Sequence, residues 1–429
     1  MQNKPVFVTP EEEKQRLLAV EEFRSLEDAP RSYFIVTYGC QMNAHDSEKM
    51  AGILEEMGMK EAADRREADF VLFNTCCVRD NAERRALGNV NWLKELRKDN
   101  PALLIGVCGC MVQQPVMAQR MLKQYKFVDL AFGTHNLHEL PQMLLKQVKE
   151  KRRVVEVSDQ ENLICENLPV KRLNDWHAYI TIMYGCNNFC SYCVVPYVRG
   201  RERSRRMADI LREAQELKQA GVQEIMLLGQ NVNSYGNGSD NGETFPELLR
   251  QLDRLDVPRL RFMTSHPKDL SDELIEVMAT GKHIMNHLHL PAQSGNDDIL
   301  MQMNRRYTRE DYLRKVEKLR KAVPGIGLTT DLIVSFPGET EAQFQDTLSL
   351  VREVGYDSAF TFIYSPREGT KAAQMPGRIS EEESSRRIGL LIKEVEASTA
   401  RVHESMVGKT EQVLVESISK RDSAMVSGK

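Results

Sequence analysis

A chain of 429 residues, 41% hydrophobic and 28% charged, has ordinary globular composition and room for two or three domains at roughly 150 residues each. Its formal net charge of −4 argues against a broadly basic nucleic-acid-binding domain and against electrostatic attachment to a membrane, so any RNA partner has to be met by local patches. Apolar runs such as 103–108 and 328–336 fall far short of the roughly 20 residues a membrane span needs.

Residues 1–31, with Glu11 to Lys14 and Glu21 to Glu22, read as a charged leader without a secretory signal. From Tyr33 the pattern alternates. Strands are expected over 33–37, 70–74 and 103–107, with helices over 44–57 and 79–98 between them. That alternation predicts an open parallel-sheet α/β domain over 32–149. The charge run and Pro169 of 150–171 read as a linker. A second series occupies 172–403, with strands expected over 178–183, 224–228, 260–264, 287–290, 328–334 and 358–364, and helices such as 208–220 and 312–322. Six strand-helix units make a partial (β/α) barrel, smaller than a full eight-unit barrel of about 250 residues. Strands over 412–416 and 424–426 then begin a small all-β domain over 404–429, which the chain is expected to leave incomplete.

Nine cysteines without a secretory signal point away from disulfides and toward thiols kept free for metals or catalysis in the cytoplasm, the expected compartment. Cys186, Cys190 and Cys193 follow the first barrel strand, on the carboxyl face where barrel enzymes place their chemistry. Thiolates are soft ligands suited to zinc or iron-sulfur clusters, and a cubane ordinarily takes four of them. Three would leave one iron open, which distinguishes a catalytic metal site from a closed one. The competing assignment is structural zinc, with Cys165 or His177 as fourth ligand. In the first domain Cys40, Cys76 and the pair Cys108 and Cys110 follow three separate strands. The carboxyl edge of an open α/β sheet is where ligands bind, so these loops can converge on one point. Buried core cysteines are the alternative.

The spacing Cys186-x-x-x-Cys190-x-x-Cys193, with Tyr192 before the last cysteine, resembles the radical S-adenosylmethionine superfamily. The resemblance implies a 4Fe-4S cluster whose open iron is chelated by the methionine moiety of S-adenosylmethionine. Its one-electron cleavage would give a 5′-deoxyadenosyl radical, chemistry that belongs to the cofactor. Tyr192 would lie near the adenine. From about Ser32 onward the chain resembles the methylthiotransferase family through Tyr38-Gly39-Cys40-Gln41-Met42-Asn43, Asn74-Thr75-Cys76-Cys77-Val78-Arg79 and Gly109-Cys110-Met111. This resemblance implies a second 4Fe-4S cluster on Cys40, Cys76 and Cys110. Cys77 and Cys108 fall outside the motif and could substitute or merely pack, and Cys165 reads as an idle linker thiol.

Three barrel loops resemble the same family: Gly229 to Gly236, Thr264 to Pro267 and Leu290 to Gly295. The resemblance implies that Gln230, Asn231, Ser265, Gln293 and Ser294 line the S-adenosylmethionine pocket. By residue type alone they are polar groups suited to a nucleoside, or turn formers. Thr340 or Glu339 is expected to cap the helix after Phe336-Pro337-Gly338. Ser335 departs from the family, which usually has glycine there. Arg199, Arg201, Arg203, Arg205 and Arg206 form the local basic patch the net charge conceals. Arg199, Arg201 and Arg203 are candidates to bind tRNA phosphate, to hold the substrate near the radical, or simply to be solvated.

The implied reaction adds a methylthio group to C2 of the isopentenylated adenosine next to the tRNA anticodon, a base accessible because it lies in a single-stranded loop. Expected partners are the tRNA anticodon stem-loop, an electron donor such as flavodoxin or ferredoxin, and a sulfur source, with no membrane; the oligomeric state is left open. One alternative is a methylthiotransferase acting on another tRNA adenosine or on a ribosomal protein. An alternative of another class is a non-enzymatic metal-bound RNA-binding module. Residues 407–429 resemble the start of a TRAM domain, a small β module that grips tRNA in the family.

Overall fold

Phe70–Thr75 is buried along its whole length, as a strand covered by helices on both faces must be. The computed structural model describes residues 5–77, 80–238, 242–419 and 421–428. It places this strand inside a six-stranded parallel sheet ordered Lys60–Glu61, Ser32–Thr37, Phe70–Thr75, Leu104–Gly109, Leu130–Phe132, Val154–Glu156. Alternate side chains serve opposite faces. Phe70 and Leu72 pack with Met50, Ile53 and Leu54 of helix Gln41–Glu56 and with Leu144 of helix Leu140–Glu150. Val71 and Phe73 pack with Val90 and Leu93 of helix Asp80–Asp99.

Two expectations about connecting segments are corrected. The charged leader contains a docked helix, Pro10–Ser25, opened by a capping box between Thr9 and Glu12. Its buried residues Ala19, Val20 and Phe23 join the core of the first sheet. They occupy one turn of an otherwise polar helix, a stripe too narrow to register in composition. The segment 150–171 is likewise more than a linker. Val154–Glu156 is the edge strand of the sheet, and Leu163–Ile164 pairs in parallel with Val6–Phe7. Arg153, part of the charge run, donates to the carbonyls of Val128, Met121 and Tyr125. A charged residue can thus belong to folded structure by serving backbone acceptors.

The second unit is the expected six-strand arc. His177–Thr181, Glu224–Leu228 and Arg259–Phe262 form one parallel run, and His287–His289, Gly327–Val334 and Ser358–Ile363 form another. A parallel bridge between Leu260 and Ile284 joins the two runs. Helices Met207–Gln219, Phe245–Asp253, Asp272–Thr280, Arg309–Ala322 and Glu341–Val354 alternate with the strands. The long helix Glu381–Met406 then packs Leu391 and Val395 into the barrel core. Thr340, not Glu339, is the cap of helix Glu341–Val354, in a box with Gln343.

At the end of the chain Val415–Ile418 and Val426–Gly428 pair antiparallel, slightly displaced from the expected strands. Val415, Ile418 and Val426 are exposed on this two-stranded ribbon. Among the described residues, no helix is long and apolar enough to cross a membrane.

Candidate active site

Cys186, Cys190 and Cys193 lie in the loop that leaves strand His177–Thr181 through the short strand Met183–Tyr184. Gly185 opens the loop at φ +76 with Arg201 and Gly200 carbonyls against its α-carbon, a place no side chain fits. The loop is then pinned on several sides. Asn304 donates to the carbonyls of Asn188 and Phe189 at 3.0 Å each, Lys268 donates to Asn188 Oδ1 at 2.6 Å, and Ser191 N–H donates to Met303. Gln230 accepts from Gly185 N–H.

Arg305, buried behind the loop, points Nη1 at Cys190 Sγ at 3.4 Å. Burial pushes the Cys186 thiol up to about 12 and raises Cys193 further, with the neighbouring cysteines contributing. Cys186 and Cys193 thus resist becoming bare thiolates; a bound metal group supplies the missing positive charge. Among the described residues, no three His, Cys, Asp or Glu side chains close on the point a single ion would occupy. Zinc would draw its thiolates to roughly 4 Å of one another, given Zn–S near 2.3 Å, whereas a cluster offers a separate iron to each. The two residues considered as a fourth zinc ligand lie in other settings. His177 starts the strand whose other end leads to Cys186 and meets the Tyr179 ring edge to face, and Cys165 lines a different cavity with Lys49 and His135.

The amino-terminal cysteines come from three loops, as expected. Cys40 follows Ser32–Thr37 and precedes helix Gln41–Glu56, Cys76 follows Phe70–Thr75, and Cys110 follows Leu104–Gly109. Val78 and Arg79 of the second motif lie outside the described residues. Gly39, at φ +113, lets the first two loops touch. A β-carbon there would meet Cys76 Cβ at 2.5 Å and Cys76 Sγ at 2.9 Å. Gly39→Ala is therefore expected to push the Cys40 and Cys76 loops apart. A left-handed residue plus a steric clash costs about 2 kcal/mol or more. Iron bound per chain after anaerobic reconstitution should fall together with the melting temperature.

Cys108 is corrected. It lies inside strand Leu104–Gly109 and turns to the other face, with its thiol 3.6 Å from Met50 Sδ in the core. Within a strand Cys110 would share its face, but the strand ends at Gly109 and the chain turns Cys110 to the other side. Cys77 stays on the Cys110 side. A hydrogen bond with Cys77 and the Arg199 guanidinium lower the Cys110 thiol to about 6.

Arg199 is the side chain sequence reasoning placed elsewhere. It is 5% exposed and sits inside the first cysteine set: Nε to Cys110 Sγ at 3.1 Å, Nη2 to Asn43 Oδ1 at 2.8 Å and to Asp46 at 2.7 Å. Asn43 was not anticipated as a site residue. Its Nδ2 donates to the carbonyls of Tyr38 and Thr75 at 2.9 and 3.0 Å, clasping two of the cysteine loops. The motif position after Cys40 carried the only hint. Arg203 is buried too, over the Tyr184 ring and donating to the carbonyls of Leu163 and Arg199. Arg205 is paired with Glu166 and Glu213. Of the three predicted phosphate-binding arginines only Arg201 is exposed, over the Phe189 ring. The segment Val194 to Arg199, directly after Cys193, thus enters the first domain, with Val194 and Val198 in its core and Val198 C=O accepting from Thr134 Oγ1 at 2.6 Å.

A cavity of about 960 Å³ opens beside Cys193, walled by Tyr192, Gln293, Asp331, Ile333, Ser335 and Phe362 among others. Tyr192 and Gln293 share this cavity with Cys193. Asn231 and Ser294 instead serve the scaffold: Asn231 bonds Asp269 and the His266 N–H, and Ser294 faces Thr347 and the Asn296 N–H. Ser265 is buried, and among the described residues its hydroxyl has no partner.

Residues 180–351 match the radical SAM superfamily, and residues 32–133 match a family described as uncharacterized protein family UPF0004. The tRNA-2-methylthio-N(6)-dimethylallyladenosine synthase of Alkaliphilus oremlandii is 50% identical over 99% of this chain and 90% of its own length. The chain belongs to this synthase family. The Caldicellulosiruptor saccharolyticus synthase is 52% identical over 92% of this chain and 84% of its own. In fold, the synthase-family chain is similar to a solved radical S-adenosylmethionine methyltransferase, TsrM from Kitasatospora setae. The TM-score is 0.58 at 17% identity, over 80% of this chain and 77% of that one.

Proposed function

We propose that this chain is a radical S-adenosylmethionine methylthiotransferase that adds a methylthio group to C2 of the isopentenylated adenosine beside the tRNA anticodon. Identity of 50% over 99% of this chain to the Alkaliphilus oremlandii tRNA-2-methylthio-N(6)-dimethylallyladenosine synthase supports the substrate. The observation that carries the reading is Arg199: six residues after Cys193, it reaches Cys110 at 3.1 Å and so ties the two cysteine sets into one site. When bound, 4Fe-4S clusters supply one-electron cleavage of S-adenosylmethionine and a place to hold transferable sulfur.

The chain's residues divide that work. Cys186, Cys190 and Cys193 would hold one cluster at the cavity, and Cys40, Cys76 and Cys110 the other at the sheet edge. Arg305 beside Cys190 and Arg199 beside Cys110 keep a buried positive charge at each anionic group, where low dielectric makes it most effective. Tyr192 and Gln293 wall the cavity that would take S-adenosylmethionine. Arg201 is left to meet phosphate, its guanidinium exposed over the Phe189 ring. The domains on this reading are an amino-terminal methylthiotransferase domain over 32–149, extended by its edge strand, a radical S-adenosylmethionine domain over 172–403, and a TRAM-like segment over 404–429. The partners are tRNA, a low-potential electron donor such as flavodoxin or ferredoxin, and a sulfur source, in the cytoplasm.

The test is mass spectrometry of tRNA nucleosides from a strain lacking its own synthase. Expression of this chain should convert isopentenyladenosine to its 2-methylthio derivative. Isopentenyladenosine that persists beside well-expressed, iron-loaded protein would refute the assignment.

A further inference from the structure

Three buried cations, Lys49, Arg199 and Arg203, wall one cavity of about 50 Å³ together with Tyr184 and Cys165. Asp46, the one carboxylate on that wall among the described residues, is already paired with Arg199 at 2.7 Å. Lys49 and Arg203 rest instead against Tyr184: Lys49 Nζ donates to its hydroxyl at 3.2 Å, and the Arg203 guanidinium lies 5.0 Å over its ring. Among the described residues neither has a carboxylate at ion-pair distance. Two donor groups are also unused. Arg199 bonds through Nε and Nη2, and Arg203 through Nε and Nη1. Arg199 Nη1 and Arg203 Nη2 have no acceptor among the described residues, and neither is sealed in protein. Burial, with the like charge of Arg199, pulls the Arg203 guanidinium down to about 10, as happens to a cation held without a counter-charge.

Three cations against one carboxylate leave the cavity positive, and buried cations are costly unless an anion compensates their lost hydration. The cavity therefore suits an anion, and its size and lining say which kind. About 50 Å³ holds a few waters or one small ion and excludes a nucleotide. Half-buried Leu163, Cys165 and Leu168 make one side apolar and soft, a poor match for the four oxygens of phosphate and a good one for a polarisable monoanion. Position narrows the choice further. Arg199 is the wall shared with the first cysteine set, since its Nε lies 3.1 Å from Cys110 Sγ. We infer that this cavity holds hydrosulfide behind Arg199, a waiting position for the sulfur that the first cysteine set takes up. The inference rests on the proposal that the chain transfers sulfur there. It involves binding only, with no bond made or broken in the cavity.

Hydroselenide reports the site directly, because anomalous scattering tells selenium from iron. Crystals of the anaerobically reconstituted enzyme soaked with hydroselenide should show selenium among Lys49, Arg199 and Arg203, apart from any at the cysteines. In Lys49→Met that peak should vanish. The sulfide concentration giving half-maximal methylthio product should then rise about tenfold, the loss of one charge-assisted hydrogen bond, with the rate at saturating sulfide within about twofold of the parent. An empty cavity in the parent crystals would overturn the inference whether or not the variant folds. So would a bromide peak without a selenium one, which would mark an adventitious ion only, and so would an unchanged sulfide dependence in folded Lys49→Met enzyme. The proposed function is judged separately. Selenium in the cavity of an iron-loaded enzyme that forms no methylthio product would refute that function and leave the anion site standing, whereas product formed with the cavity empty would do the reverse.

Discussion

Replacing Cys186, Cys190 and Cys193 together by alanine is expected to abolish release of 5′-deoxyadenosine and methionine from S-adenosylmethionine while leaving about four irons of about eight. The three thiols are the only cysteines of the barrel loop, and that loop is held by contacts that bypass their sulfurs: Asn304 to the Asn188 and Phe189 carbonyls and Lys268 to Asn188. The loop should therefore survive alanine, and the loss should be chemical, not structural. Circular dichroism checks the fold, chromatography the 5′-deoxyadenosine, and a colorimetric assay the remaining iron. Persistent 5′-deoxyadenosine in the triple variant would show that the radical chemistry resides elsewhere.

Arg199→Met should separate the two halves of the reaction. It deletes the guanidinium that lies 3.1 Å from Cys110 and 2.7 Å from Asp46, leaving a buried carboxylate without its partner. Breaking such a pair from one side costs roughly 3–5 kcal/mol, so the melting temperature should fall. Arg199→Met/Asp46→Asn, which removes the orphaned charge, should recover much of that loss. In the double variant S-adenosylmethionine cleavage should continue, since the barrel loop is untouched, while the methylthio product is lost and iron falls toward about four per chain. Full iron content with normal product would remove Arg199 from the site.

How far the sequence could be read follows from how local each signal is. Three barrel cysteines within one loop are a local pattern, and strand alternation already put Cys40, Cys76 and Cys110 on one sheet edge. Cys108 is ambiguous in sequence because the pattern does not mark where the strand ends; the strand runs to Gly109, so Cys108 is a strand residue facing the core and not a loop residue at the sheet edge. Arg199 was misplaced for a different reason. Arginine in a loop resembles a solvated phosphate contact, and only tertiary packing shows Val194 and Val198 carrying it into the first domain. Asn43 serves loops more than thirty residues apart, to which no periodicity points. Ser335 departs from the family's glycine in the sequence, but its φ of +61 exists only in three dimensions.

The central claim is that one chain holds two clusters. Iron and acid-labile sulfide counted on anaerobically reconstituted protein, with zinc measured on the same sample, test it most directly. The account predicts about eight of each per chain and negligible zinc. About four irons, or a colourless protein carrying zinc, would contradict it.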